Sequence, residues 1–398
     1  MKPDHHDALF QPFELPCGTV LKNRVAKSAM SDSLGDGRGN PTEPQIRLYE
    51  RWAKGGLAVS IIGEVQGNPG FAEKPGNLVL RQDSDLRAFA MLARRGSVDG
   101  AQLWLQLGHA GAMAFPATSD PKGPSALNIP GLACGALTLE EVRALPGEFA
   151  RTARLASDLG FGGVEVHAAH GFLLSQFLSP LFNKRDDDYG GPIARRMRLL
   201  LEVVHAVRAA VGPAFPIAVK LNATDQLEGG LDETDSLAVI AALETSGIDL
   251  IDISGGTYFP GARSASDSAG SGPYFLDFAD RARQLTRKPL MLTGGFKTLQ
   301  QATDAVARGS VDLIGLARAL ALDPALPSKW QSNTMAAPAF PRFTAPPEGG
   351  ITAWYTMRLM ELGEDREPSD ATGLNAAIRA YDRRDQDRIA IWKARFGG

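Results

Sequence analysis

Leu139-Glu-Glu-Val-Arg-Ala-Leu-Pro-Gly-Glu-Phe-Ala-Arg-Thr-Ala-Arg-Leu-Ala-Ser-Asp-Leu159 runs directly into Gly160-Phe-Gly-Gly-Val-Glu-Val-His167. The first stretch opens on Thr138-Leu-Glu-Glu141, a capping box, and closes at Gly160, so the spacing predicts a helix over Leu139–Leu159. Pro146-Gly147 is expected to break or kink it into two pieces, because proline has no N–H to give the preceding turn. The second stretch is short and largely apolar, and predicts a strand over Gly163–His167. A helix handing over to a buried strand through glycines is the repeating unit of an α/β fold.

The same alternation extends in both directions. Further apolar runs lie at Arg24–Ala29, Leu57–Gly63, Ala101–Leu107, Pro216–Asn222, Asp249–Ser254, Pro289–Thr293 and Asp312–Leu316. Most are continuously hydrophobic, as expected of parallel strands covered on both faces. Helices are predicted over Pro44–Lys54, Arg195–Val211, Glu233–Ser246 and Leu299–Arg308, the last three each ended by a glycine. Eight strands alternating with helices predict an α/β fold of the (β/α)8 TIM barrel type. A doubly wound sheet is the competing arrangement, but no Gly-x-Gly-x-x-Gly turn follows an early strand. The barrel is placed at residues 9–330. Residues 331–398 are read as a proline-rich linker followed by a C-terminal helical tail over Gly373–Phe396, an appendage or dimerisation element.

Composition narrows the function classes. The 398 residues carry a formal charge of −3 with no basic stripe, which argues against nucleic acid or a membrane surface as partner. Met1–Asp7 lacks the apolar core of a secretory signal, so a cytoplasmic location is expected. The two cysteines cannot build a disulfide framework or an iron–sulfur cluster. The expected partner is a small-molecule substrate, and a homo-oligomer is compatible with the tail.

In a barrel the chemistry gathers at the C-terminal ends of the strands. Those ends read Ala29-Met30-Ser31, Glu64-Val65-Gln66, Gln106-Leu-Gly-His109, His167-Ala-Ala-His170, Lys220-Leu-Asn222, Ser254-Gly-Gly-Thr-Tyr258, Thr293-Gly294-Gly295 and Gly315-Leu-Ala-Arg318. A glycine pair after strand seven beside an arginine after strand eight suits a phosphate, because backbone N–H groups can approach it closely. The bland alternative is a tight turn with Arg318 paired on the surface. His167 and His170 could be a metal pair with His109 as third ligand, a hydrogen-bonded structural pair, or two donors aimed into the mouth at a carbonyl or anionic oxygen. Lys220 could be a fixed charge, an ion pair with Asp225 or Glu64, or a Schiff-base nucleophile.

Taken together, Leu9-Phe-Gln-Pro-Phe13, Leu21-Lys-Asn-Arg24, Gln106-Leu-Gly-His109, Gly160–Gly171, Gln176-Phe-Leu-Ser-Pro180, Asn183-Lys-Arg-Asp186, Tyr189-Gly-Gly191 and Asp312–Pro324 resemble the Old Yellow Enzyme family of NAD(P)H:flavin oxidoreductases over roughly Leu9–Trp330. The resemblance implies FMN as cofactor and NADH or NADPH as hydride donor. It places the backbone of Ala29, Met30 and Ser31, with Val65, along the flavin ring. Gln106 is implied at the pyrimidine edge and Lys220 near N1. Gly294, Gly295, Phe296, Ala317 and Arg318 are implied at the phosphate. His167 and His170 are implied as ligands of the carbonyl oxygen of an activated alkene, the reaction of an ene-reductase.

Four departures from the family pattern occur. Phe172 stands where a tyrosine usually supplies a proton to the substrate α-carbon. Ala317 replaces a glycine, tolerable if φ is negative there. Ala194-Arg195 replaces Glu-Asn and weakens a helix start. Lys220 replaces an arginine, keeping the charge but losing the fork. Phe172 leaves Tyr258 as substitute proton source, with Tyr49 and Tyr274 less suitably placed and Tyr189 expected to be structural. It also leaves open another acceptor (a quinone or oxygen), desaturase or isomerase chemistry, and, outside redox, a Schiff-base lyase using Lys220. Arg263 and Ser264–Gly272 are further candidates for shaping the pocket or contacting the nicotinamide dinucleotide.

Overall fold

The computed structural model describes residues 5–260, 262, 272–343, 346–347, 349–366 and 373–397. Arg263 and Ser264–Ser271 therefore lie outside the described residues. Eight strands close a parallel barrel: β1 Val25–Met30, β2 Val59–Gln66, β3 Gln102–Gly108, β4 Gly163–Ala168, β5 Ile217–Asn222, β6 Leu250–Ser254, β7 Leu290–Thr293 and β8 Leu313–Leu316. Neighbours pair in register, His167 opposite Lys220 and Lys220 opposite Asp252, and Ile314 opposite Val25 closes the ring. The fold is thus the TIM barrel expected from the strand count.

Alternation along each strand sorts the side chains. Val164 and Val166 face outward and join the large cluster beneath the helices. Ala26, Trp104, Ala218, Leu250, Met291 and Leu313 fill the N-terminal end of the bore. Leu15 and Leu21 join that cluster from the segment containing a small antiparallel hairpin, Phe13–Glu14 with Val20–Leu21. Burying such side chains stabilises the barrel by about 1.5–3 kcal/mol each.

The surrounding helices are α1 Glu43–Lys54, α2 Leu86–Arg95, α3 Leu139–Asp158, α4 Arg198–Val211, α5 Glu233–Leu243, α6 Leu276–Arg283, α7 Leu299–Ala307 and α8 Arg318–Leu322. Contrary to the expected break, α3 is continuous through Pro146. Its buried face, Val142, Leu145, Phe149, Ala153 and Ala156, runs across the proline and holds both halves on the barrel. That packing offsets the roughly 3 kcal/mol of an interior proline. The helix expected over Arg195–Val211 is divided instead, into Ile193–Arg196 and α4, and the first piece has no side-chain cap at Pro192.

Among the described residues the tail holds two helices, α9 Gly350–Gly363 and α10 Leu374–Phe396. The first was not foreseen; it buries Trp354, Tyr355 and Leu359. The second turns back over the loops after β1 and β2. Trp392 packs with Ala72 and Val79, and Arg388 Nη1 donates to the Ser33 carbonyl at 2.6 Å. In this way the tail reaches the barrel's C-terminal face. Among the described residues no helix is long and apolar enough to cross a membrane.

Candidate active site

Polarity reverses along the bore. Above the apolar layer, Lys220 of β5 pairs with Asp252 of β6, both essentially without solvent exposure. Asp252 accepts from Thr293 Oγ1 at 2.6 Å, and Thr293 shares a 2.7 Å hydrogen bond with Ser28. Beside them Gln106 Nε2 donates to Glu165 Oε1 at 2.8 Å. Lys220 is therefore paired with Asp252, not with Asp225 or Glu64 as the sequence allowed. The reason is register: positions 220 and 252 are direct neighbours on adjacent strands. Burial pulls the lysine pKa down, but Asp252 and Glu165 carry it above its usual value. A lysine held as the ammonium is a fixed charge and a poor Schiff-base nucleophile.

Opposite Lys220 on β4 stands His167, its ring centroid 5.4 Å from that of His170. His167 is buried, with Nε2 3.2 Å from Glu64 Oε1, and its Nδ1 has no partner. Burial drives its pKa down to about 3, with Lys220 adding to the effect, while burial pushes the Glu64 carboxyl up to about 8. At neutral pH both are uncharged. Gln66 Nε2 donates to Glu64 Oε2 at 3.1 Å, which leaves the acid proton on Oε1. That proton goes to His167 Nε2, so the network assigns the ring hydrogen to Nδ1, a buried donor waiting for an acceptor. His170 lies in a left-handed conformation (φ 61°), its N–H held by Asn222 Oδ1 at 3.1 Å and its Nε2 3.0 Å from Ser254 Oγ. Burial also keeps its pKa well below the usual value. His109, the third ligand a metal would need, instead stacks on Phe71 and accepts from the Gly111 N–H at 3.1 Å through Nδ1. Among the described residues no cluster suited to a metal ion occurs.

The mouth fits a flavin mononucleotide on three observations. First, the ladder slips between Lys27 and Met30 and between Ile62 and Val65, at the strand ends assigned to the flavin ring. Such bulges leave backbone groups unpaired and available to a ligand. Gly63 permits the close approach, since a Cβ there would stand 2.4 Å from the Met30 carbonyl carbon. Second, Gln66 Oε1, Glu165 Oε2 and His167 Nδ1 are buried and without partners. Third, Gly294 (φ 115°) and Gly295 (φ 85°) follow β7, with Phe296 buried behind them. Across from them Ala317 has φ −127°, the negative value that makes an alanine tolerable there, and Arg318 opens α8. The Arg318 guanidinium lies 5.3 Å from the ring of Tyr355, so the tail supports this arginine from behind. A Cβ at Gly295 would sit 2.1 Å from the Gly272 carbonyl oxygen. Gly295→Ala is therefore expected to lower FMN content of the purified protein at least tenfold, measured as flavin released on denaturation.

Phe172, 3 % exposed, packs with Ala110 and Ala114 and lies 5.1 Å from the His167 ring. Tyr258 is 61 % exposed, its ring 5.9 Å from Phe172 and 6.2 Å from His170. Tyr49 is remote from this group, hydrogen-bonded to Asp32 and Lys27 beneath α1. Tyr189 is tied to Glu202, and Tyr274 lies against Gly294. Sequence reasoning missed Asp252 and Glu165, because mid-strand acids carry no local signal of their partners. It also missed Glu73 and the residues of α10 at the rim.

A family profile described as "NADH:flavin oxidoreductase / NADH oxidase family" matches residues 8–336. The NADH-dependent flavin oxidoreductase iliE of Neonectria sp. is 33 % identical over 385 residues, covering 87 % of this chain and 50 % of that protein. The protein of the same name from Hypocrea jecorina is 32 % identical over 356 residues, covering 81 % of this chain and 88 % of that one. Among solved structures, a 2-naphthoyl-CoA reductase complex superposes with TM-score 0.77 at 27 % identity, covering 82 % of this chain and 52 % of that one. The chain thus spans about half the length of two of these three relatives. With the barrel, the paired histidines and the glycine–arginine cradle, these likenesses agree: the chain belongs to the NADH:flavin oxidoreductase / NADH oxidase family, and is an NAD(P)H-dependent FMN oxidoreductase.

Proposed function

We propose that this enzyme reduces the carbon–carbon double bond of an α,β-unsaturated carbonyl compound. The observation that carries the reading is the unpartnered, buried Nδ1 of His167 beside His170, two neutral rings at the mouth of the bore. When bound, FMN would supply the hydride-transfer chemistry that couples a nicotinamide donor to the acceptor. The backbone at Ala29, Met30, Ser31 and Val65, with Gln106 and Lys220, would hold its ring. Gly294, Gly295, Phe296, Ala317 and Arg318 would hold its phosphate. His167 donates from Nδ1 to the substrate carbonyl oxygen and His170 supplies the second contact. Donors placed in a dry site stabilise negative charge on that oxygen by roughly 3–4 kcal/mol each. Phe172 closes the pocket wall but has no proton to give. The α-carbon therefore takes its proton from the open side, where the partly exposed Tyr258 stands. Residues 9–330 are proposed as the catalytic unit, acting in the cytoplasm on a small molecule, with 331–398 as its extension.

The test is anaerobic. Holoenzyme bleached with NADH or NADPH is mixed with cyclohexenone or a maleimide, and stoichiometric return of the yellow colour is expected. Bleaching that the alkene cannot reverse would sink the reading and favour another acceptor, such as a quinone or oxygen, for which the missing acid at Phe172 is no handicap. Phe172→Tyr puts a phenol beside His167 and is expected to raise alkene turnover at least severalfold, with the roughly 10²–10⁴-fold that a positioned acid supplies as the ceiling. An unchanged rate would show that protonation does not limit.

A further inference from the structure

Arg384 of α10 is buried at the rim of the mouth, its side chain 10 % exposed, and none of its Nε, Nη1 and Nη2 atoms has a hydrogen-bond partner. A buried donor left without an acceptor is destabilising, so unengaged guanidinium N–H groups are uncommon in a folded interior. The nearest acid, Asp385, is 3.9 Å from Nε, beyond hydrogen-bond reach, and lies 3.5 Å from Lys74. Asp32, the other acid whose field reaches Arg384, already accepts from Tyr49, Gln45 and the Leu34 N–H. The guanidinium rests 5.1 Å from the ring centre of Tyr381, one turn earlier on α10, and Lys74 lies 5.4 Å from the same ring.

The helix carrying this cluster is fastened to the barrel's C-terminal face by Arg388, one turn after Arg384, which donates to the Ser33 carbonyl in the loop after β1. The Tyr381 phenol feels the charges of Glu73, Asp385 and Arg384 and, more weakly, of Tyr258. Tyr258 in turn stands 6.2 Å from His170. The groups facing Arg384 are thus Tyr381, Asp385, Asp32 and Arg388, with Lys74 and Glu73 beside them. Burial holds the Glu73 carboxyl up at about 7, which reduces its negative charge below neutrality.

We infer that Arg384, flanked by Tyr381 and Lys74, is an anion-binding subsite contributed by the C-terminal helix, and that it takes a carboxylate carried by the acceptor. A planar guanidinium with unengaged N–H groups matches a carboxylate through two parallel hydrogen bonds. A substrate whose carbonyl lies on His167 and His170 would extend past Tyr258 and Tyr381 to place its acid on Arg384. The inference rests on the proposed alkene reaction for the carbonyl end, and its binding test is independent of turnover.

The oxidised holoenzyme is titrated calorimetrically with 5-(3-oxocyclohexenyl)pentanoate and with its methyl ester. The acid is expected to bind at least tenfold tighter than the ester. Arg384→Gln should abolish that preference without changing ester affinity, and Arg384→Lys should keep part of it. Arg384 makes no hydrogen bond and only a long 3.9 Å ion pair with Asp385, which Lys74 also faces at 3.5 Å, so the unfolding temperature of Arg384→Gln should change little. Equal binding of acid and ester, no binding of the acid, or a preference that survives in Arg384→Gln would each overturn the subsite. Reoxidation of the reduced enzyme by the ester is scored separately. An acid preference without that reoxidation leaves the subsite standing and counts only against the alkene reading.

Discussion

His167→Ala is expected to lower the rate of acceptor reduction by about 10²–10³, the cost of removing one preorganised donor to a developing oxyanion. The effect is large because the donor is prepared in advance. Glu64 fixes the ring from one side, Gln66 fixes Glu64, and Nδ1 is left without a competitor in a buried site. Water cannot substitute there at equal strength, since hydrogen bonds gain energy as the local dielectric falls. Stopped-flow measurement of acceptor reduction separates this loss from any change in flavin content. The same network sets the pH dependence. Glu64 holds its proton up to about 8, so the rate should be flat through neutrality and fall as pH rises through that value. Above it the Glu64 carboxylate would draw the ring hydrogen to Nε2, and Nδ1 would become an acceptor facing the substrate oxygen. A rate that instead rises through pH 8 would contradict the tautomer assignment.

Lys220→Met is expected to destabilise the protein by about 3–5 kcal/mol, because it strands Asp252 as an uncompensated charge in the bore. The loss should appear as a lower urea midpoint in the FMN-free protein, which isolates stability from cofactor binding. Lys220→Arg keeps the charge and should recover much of it. Lys220→Met combined with Asp252→Leu removes both charges and should recover more than either single change, since replacing both partners of a buried pair is often neutral. If Lys220→Met alone leaves the midpoint unchanged, the pair is not the buried ion pair described here.

The barrel was legible because its strands are buried on both faces. Each apolar run from Arg24 to Leu316 overlaps an observed strand to within a few residues at its ends. The site was legible by place more than by partnership. His167, His170 and Lys220 could be assigned to strand ends from the sequence, but Asp252 could not be matched to Lys220 without the register of β5 against β6. The expected break at Pro146 failed because tertiary packing along one face of α3 outweighs a local propensity. The least legible part was the tail. Arg384 and Tyr381 are more than 200 residues from the histidine motif, and nothing in a helical stretch rich in Arg and Asp shows which charge turns inward to the mouth. Phe172 worked the other way: the sequence raised the question of the proton, and its apolar surroundings of Ala110, Ala114 and Phe71 show a wall with no acid of its own.

The most direct measurement follows the isotopes. Cyclohexenone is reduced with unlabelled NADH, or with NADPH if that is the donor used, in deuterium oxide, and the product is examined by NMR. The expected product is saturated ketone carrying one deuterium at the α-carbon, delivered from solvent, and hydrogen at the β-carbon, delivered as hydride. Absence of saturated product despite consumption of the nicotinamide, or deuterium at the β-carbon, would contradict the proposed alkene reduction.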